Sequence, residues 1–354
     1  MKIYIPLLLI HLVWLTTSCQ EETLRTNTPE EVQLQVMTAG KQTDSRVTMD
    51  KNEFETTDKF RFFFNSSEPT SDPAGTNTIL GVGDAVIKVA DYSYIGSDKW
   101  TTTTTIYWDD QEKKVGRLFC GVMPFPYTGN KYKVTDHTFT IAKDQSSATG
   151  VDYKASDLMI ARTKTDKRLI PLKFWHALSR VVVNVTVSID DTNPDNCFAE
   201  DALDGIAINL YNIYTIATID YATEPTPDTG ATPEYNPAIA VGVNTSTQTN
   251  VKMYQTKTSK KDDTKKELTT SHVAVIPPQD IAADTKVLVI TLKEDGTEKN
   301  YYFKHNAITT FVQHKETEIN VTLYKTKVEA TGTIDIKSWG EIKAEGGGTI
   351  VLPK

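Results

Sequence analysis

The sequence holds 354 residues with a formal charge of −8 and a pI near 5.4, long enough for about two domains that each bury a core. That charge offers no excess of cations to displace counterions from phosphates, which argues against nucleic acid as a partner. Three cysteines, Cys19, Cys120 and Cys197, argue against a disulfide-dense scaffold or a four-cysteine zinc site, and Cys120 and Cys197 are expected as buried free thiols, with a single bridge between them as the alternative.

At the N-terminus, Met1-Lys2 carries one positive charge and Ile3 to Leu15 is an apolar run too short to cross a bilayer as a helix. It reads as the hydrophobic region of an export signal over residues 1–18. Leu15-Thr16-Thr17-Ser18-Cys19 then resembles the lipobox of bacterial lipoproteins, which implies a lipid on Cys19 and a mature chain that begins there. Glu21-Glu22 resembles the signal that carries such lipoproteins to the outer face of the outer membrane, so the expected address is the cell surface.

Residues 20–31 are polar and read as a tether. Val32-Gln33-Leu34-Gln35-Val36 alternates with period two, the mark of a strand with one buried face. After a loop that ends at Arg46, strands are expected at Val47 to Met49, Lys59 to Phe64, Thr78 to Leu80, Asp84 to Ala90 and Lys99 to Trp108. Val115 to Met123, Thr138 to Ala142 and Asp157 to Arg162 follow, with Gly, Pro and Asp as breakers between them. Thr101 to Thr105 sets five β-branched residues in a row, which suits a strand.

A second run starts at Leu169 to Phe174 and passes through His176 to Arg180 into Val181 to Val187. The last part is apolar at nearly every position, as for a strand covered on both faces. A domain boundary is expected just before this run, near Lys167. Further strands are expected at Ile206 to Tyr214, Val251 to Tyr254, Val273 to Ile276, Lys286 to Leu292, Tyr301 to Lys304, Glu318 to Tyr324 and Gly332 to Trp339. The polar stretches 222–250 and 255–272 offer little apolar area and read as exposed loops. The one helical candidate is Phe198 to Leu203. Short, evenly spaced strands with so little helix point to an all-β chain of antiparallel sandwiches.

No constellation signals catalysis, a cofactor or a metal. The six histidines are scattered without an H-E-x-x-H pair, and His176, beside Trp175, reads as a structural histidine. There is no G-x-S-x-G elbow, P-loop or G-x-G-x-x-G, so an enzyme is not expected. Asp109-Asp110 and Asp262-Asp263 read as solvated turns. Asp191 to Asn196 matches the opening of a calcium loop, yet its twelfth position is Ala202 where a bidentate Glu is needed.

The lipobox, Asp44-Ser45-Arg46-Val47 after the first strand, Thr57-Asp58-Lys59-Phe60-Arg61-Phe62-Phe63, Leu172 to Val181 and Ile334-Asp335-Ile336-Lys337-Ser338-Trp339 together resemble the fimbrillin family of Bacteroides and relatives, in its fimbrillin-like branch. Thr57-Asp58 departs from the Gly-Asp that is commoner there. The resemblance implies two transthyretin-like antiparallel β-sandwich domains in tandem, over 47–167 and 168–354, and assembly into type V pili with other pilus subunits. It also implies that residues 19–46 are a tether and removable first strand, cut after Arg46 by a trypsin-like or gingipain-type arginine-specific protease. Until that cut, acylated Cys19 would hold the chain on the outer membrane.

The segment from about Thr333 to Leu352 is a candidate donor strand for the vacated groove of a neighbour, swinging out at the Gly346-Gly347-Gly348 hinge, with Ile334, Ile336, Trp339, Ile350, Val351 and Leu352 as its apolar residues. A self-paired final strand is the alternative. A host or bacterial surface ligand is a further expected partner. The alternative function is a surface-anchored glycan-binding lipoprotein of polysaccharide uptake, with Trp100, Trp108, Trp175 and Trp339 as a stacking platform.

Overall fold

The computed structural model describes residues 31–38, 54–65, 87–97, 99–106, 117–124, 138–165, 169–192, 194–220, 240–282, 285–294, 297–304, 310–325 and 331–338. The expected strands at 47–49 and 78–80 lie outside the described residues, as do Cys19, Arg46, Trp108, Asp109, Asp110, Trp339, Ile350, Val351 and Leu352.

The first half holds β1 (Gln33–Thr38), β2 (Lys59–Asn65), β3 (Ile87–Gly96), β4 (Lys99–Thr102), β5 (Arg117–Met123), β6 (Thr138–Thr140), β7 (Met159–Thr165) and β8 (Leu169–His176). There follow β9 (Ser179–Ser188), β10 (Ala207–Tyr214), β11 (Ile216–Asp220), β12 (Ala240–Val243), β13 (Gln248–Lys252), β14 (Tyr254–Asp262) and β15 (Glu267–Ile276). The rest are β16 (Gln279–Asp280), β17 (Lys286–Glu294), β18 (Thr297–Lys304), β19 (Thr310–Phe311), β20 (Lys315–Leu323) and β21 (Thr331–Ser338). Among the described residues the helical pieces are α1 (Val151–Ser156) and a 3₁₀ turn at Pro194–Asn196. The chain is all-β.

A seven-stranded sheet runs β1-β8-β7-β5-β2-β3-β4. Its pairs are antiparallel except β1–β8, which is parallel. Alternation sends Phe60, Phe62, Phe119, Ala161 and Phe174 to one face and Phe63, Cys120, Val122 and Ile160 to the other, all buried. The first face encloses an aromatic interior, because the Val32 N–H donates to the Ile106 carbonyl at 2.8 Å and so joins the chain ahead of β1 to the chain beyond β4. The second face belongs to the same apolar cluster as the second half of the chain.

In that second half a five-stranded sheet, β14-β15-β9-β20-β21, and a four-stranded sheet, β13-β10-β17-β18, share one core. β9 alternates strictly, with Val181, Val183, Val185 and Val187 buried and Arg180, Val182, Asn184 and Thr186 half-buried, so it is not the two-face strand that its valines suggested. Outward, Asn184 donates to Asn320 and Glu318 and accepts from Ser271, a polar ladder that one additional valine cannot convert into a second core face.

The polar stretch read as a loop over 255–272 is a hairpin, β14–β15. β14 is an edge strand with two register shifts and exposed Lys257, the composition by which sheets protect an open edge from a second chain. β12 and β13 likewise fall within 222–250. Residues 198–205 form turns, with Phe198, Ala202 and Leu203 buried, and the helix is instead α1. Six residues are too few to display a helical period. α1 is set by Gly150, whose φ of 65° is the left-handed value glycine adopts without strain, and by Tyr153 stacked on Tyr254 at 5.6 Å. A β-carbon at Gly150 would lie 3.2 Å from the Tyr254 ring.

Hydrogen bonding crosses the boundary expected near Lys167 in both directions. β8 lies beyond it in sequence yet belongs to the seven-stranded sheet. Residues 138–158 lie before it yet run over the second half: β6 pairs with β11, and the Gln145 N–H donates to the Lys252 carbonyl at 2.9 Å. The chain then returns as β7.

Candidate functional site

β1 and its surroundings form the site. All six of its residues pair with β8, from Gln33 opposite Leu169 to Thr38 opposite Phe174. The alternation read from the sequence becomes geometry: Gln33 and Gln35 are exposed, while Leu34 and Val36 are half-buried against the aromatic interior and Val32 is buried. Beneath them Ile170, Leu172 and Phe174 of β8 are fully buried.

The floor is dense with rings. Phe60 stacks on Tyr92 at 5.1 Å and meets Phe174 edge-on at 5.2 Å, and Phe62 lies parallel to Phe119 at 6.0 Å. Phe174 is seated on Gly121, where a β-carbon would stand 2.7 Å from its Cζ. Burial, and after it the nearby Glu31 carboxylate, push the Tyr92 phenol up to about 12.

The other end of the chain is also paired. β21 lies antiparallel to β20 over eight residues, with Ile334 opposite Ile319 and Ile336 opposite Thr317. Ile319 is fully buried. Residues 331–338 therefore complete the five-stranded sheet, and Ile334 and Ile336 take part in a self-paired strand. The structure does not bring them to β1.

The connector between the halves is Trp175 to Ser179, and it explains His176. That ring is buried and bonds Asp157 through Nδ1 at 2.9 Å. The Ala177 N–H donates to the Leu158 carbonyl at 2.7 Å, and the His314 N–H to the Leu178 carbonyl at 2.9 Å. The histidine is a structural joint, a role its place beside a valine-rich strand suggested without naming Asp157.

The other chemistry-bearing residues are engaged in the fold. Cys120 is a free thiol that burial pushes up to about 12, with Arg162 opposing, and Cys197, also free, is half-buried where full burial was expected. Asp191 accepts the Lys266 ammonium at 2.9 Å and Asn196 accepts the Lys325 N–H at 2.8 Å, so two members of the calcium-like loop already bind protein donors. Asp262 accepts the N–H groups of Thr264 and Lys265 as a turn. Among the described residues no three His, Cys, Asp or Glu are placed to hold a metal ion. Trp100 packs among Phe54, Phe60 and Tyr94, and Trp175 is buried beside His314. Two of the four indoles of the glycan-platform reading are thus packing residues.

The family model for fimbrillin-like proteins matches residues 45–339. The chain belongs to the fimbrillin-like family. Among solved structures, this fimbrillin-like chain is similar to a protein assigned to cell adhesion from Bacteroides uniformis, with a TM-score of 0.51 at 16% identity over 87% of this chain and 99% of the other. A second, from Bacteroides ovatus, gives a TM-score of 0.50 at 12% identity over 88% and 97%. The tip fimbrial protein Mfa3 of Porphyromonas gingivalis, with a C-terminal truncation, gives 0.36 at 10% identity over 80% and 95%. No curated protein matches the chain. For the two Bacteroides proteins the likeness is one of fold, and it agrees with the all-β architecture.

Proposed function

We propose that this fimbrillin-like chain is a structural or adhesive subunit of a surface fimbria, a building block rather than a catalyst, assembled by exchanging its first strand for a strand of a neighbouring subunit. The observation that carries the reading is the position of β1. It is a short neutral strand at the N-terminal end of the fold, and it covers an interior of fully buried rings. Its removal would expose Ile170, Leu172 and Phe174 and leave one edge of β8 unpaired, a state that another strand relieves. The family resemblance supports two transthyretin-like sandwiches in tandem as the units so joined.

In this reading the lipid on Cys19 holds the precursor at the outer membrane, and an arginine-specific protease cuts after Arg46, releasing residues 19–46 with β1. The eight-residue pairing of β21 supports Ile350, Val351 and Leu352 as the donated segment in preference to Ile334, Ile336 and Trp339. Donation from 350–352 leaves the five-stranded sheet intact.

The test is N-terminal mass spectrometry of protein taken from the cell surface, with Arg46→Ala beside it. A polymer-borne chain that starts at Val47, and a lipidated monomer from Arg46→Ala, are expected. Polymers built from chains that keep Cys19, or unchanged polymers from Arg46→Ala, would overturn the reading.

A further inference from the structure

The four-stranded sheet turns one face to the core and the other to solvent. Along β18 the side chains alternate, with Tyr301 and Phe303 buried, Tyr302 half-buried and Lys304 exposed. β17 begins with a break in that alternation. Lys286 pairs with Lys304 and Leu288 with Phe303, so Val287 is an extra residue in the ladder, buried beside Leu288. Strict period two would send Lys286 to the core face with Leu288. The bulge turns it outward instead, directly opposite Lys304.

Like charges set opposite each other in a ladder repel. Elsewhere on this face the lysines stand beside carboxylates: Lys252 meets Asp144 at 3.8 Å, and Lys293 is in register with Glu298. Lys286 instead lays its ammonium over the Tyr302 ring at 3.9 Å, a contact that orients the charge without neutralising it. One row along, Tyr302 opposes Val289 and Val289 opposes Asn209, all half-buried. Tyr211, two residues beyond Asn209 on β10, is half-buried on the same outer face.

We propose that Lys286 and Lys304 form a binding site for the carboxylate or sulfate groups of an acidic glycan. An anion shared by the two ammonium groups relieves their repulsion and gains charge-assisted hydrogen bonds from both. Beside it, Tyr211 and Asn209 offer a phenol and an amide to sugar hydroxyls, and the ring of Tyr211 offers an apolar face to a pyranose. A glycan fits this place better than an acidic peptide. Lys286 lies on the flat of the sheet, on a strand paired on both sides, and the groups that meet the ligand are side chains, whereas peptides are bound along an open edge or in a groove. The chain as a whole carries −8, so an acidic glycan is repelled by the surface at large and held only where cations gather. The site supplies a ligand class for an adhesive subunit, and it stands on this sheet whether or not β1 is exchanged.

Isothermal titration of the purified full chain with a sulfated heparin tetrasaccharide and with tetragalacturonate, beside neutral maltotetraose, tests this. At least one acidic sugar is expected to bind, maltotetraose is not, and added salt should weaken the binding. Lys286→Gln and Lys304→Gln should each weaken it about tenfold or more, while Lys293→Gln on the same face leaves it unchanged. Thermal unfolding of all three variants should match the parent chain, since the exchanged side chains lie outside the core. No binding of either acidic sugar at millimolar concentration would overturn the proposal. So would an equal loss from Lys293→Gln, which would mark diffuse attraction. Hexaglutamate bound as tightly as the sugars would overturn it too, in favour of an acidic-peptide surface.

Discussion

Gln145 is fully buried, and its side chain does the work of a strand. Its amide donates to the Val275 carbonyl at 2.8 Å and accepts from the Val275 N–H at 3.0 Å. β14 reaches only as far as Tyr254 opposite Val273, so at Val275 the edge of β15 lies beyond its neighbour. Gln145→Ala would leave both groups of a fully buried residue unpaired, and we expect a loss of about 2 to 5 kcal/mol in denaturant unfolding; a loss below about 1 kcal/mol would mean that water replaces the amide.

Two histidines make stability depend on pH. Burial brings His272 down from 6.5 to about 4, and burial together with the neighbouring His176 does the same to His314. Values below those of the unfolded chain mean that the neutral rings stabilise fully above pH 6.5 and that this is lost as pH falls toward 4, by up to roughly 3 kcal/mol for each ring. Asp58 acts oppositely: burial pushes it from 3.8 to about 6, so its contribution is full below 3.8 and fades as pH rises through 6. With two rings against one carboxyl, stability measured by denaturant should drop from pH 7 to 4.5, and His272→Gln should flatten that slope. An unchanged slope would remove His272 from the account.

Among elements, β1 was legible because Val32 to Val36 alternates strictly, and β14 was not. Tyr254 to Asp262 is polar and lysine-rich, the composition of both an exposed loop and a protected edge strand, and only pairing with β15 decides between them. β8 was legible as a strand and illegible in its partner, since nothing in Leu169 to Phe174 names Gln33 to Thr38. The seat of β8 gives a prediction at this scale. Gly121→Ala puts a methyl into the Phe174 ring, which is fully buried and held by Phe60, so the ring cannot withdraw cheaply. About 1 to 3 kcal/mol of destabilisation is expected, together with faster hydrogen exchange in β1 and β8 than in β2. Equal changes in all three strands would mean that the strain spreads beyond the seat.

Across the whole molecule, the first sheet contributes Phe63, Cys120, Val122 and Ile160 to the core of the second half, and residues 138–158 cross over and back. Lys154 of that segment also pairs with Glu55 at 2.7 Å, close to β2. Halves so interlocked should unfold together although the chain is long enough for two independent domains. Thermal unfolding followed by far-ultraviolet circular dichroism and by tryptophan fluorescence should give coincident curves, and two separated transitions would refute it.

Side-chain period, composition and breakers are local properties, and by themselves they determined that this chain is all-β and that its first strand has one apolar face. The partner of a strand is not local, because any backbone can pair with any other and the choice is made by which faces must be buried together. So tertiary structure alone decided that β8 joins the first sheet, that β1 lies parallel to it across more than a hundred residues of chain, and that β21 closes its own sheet.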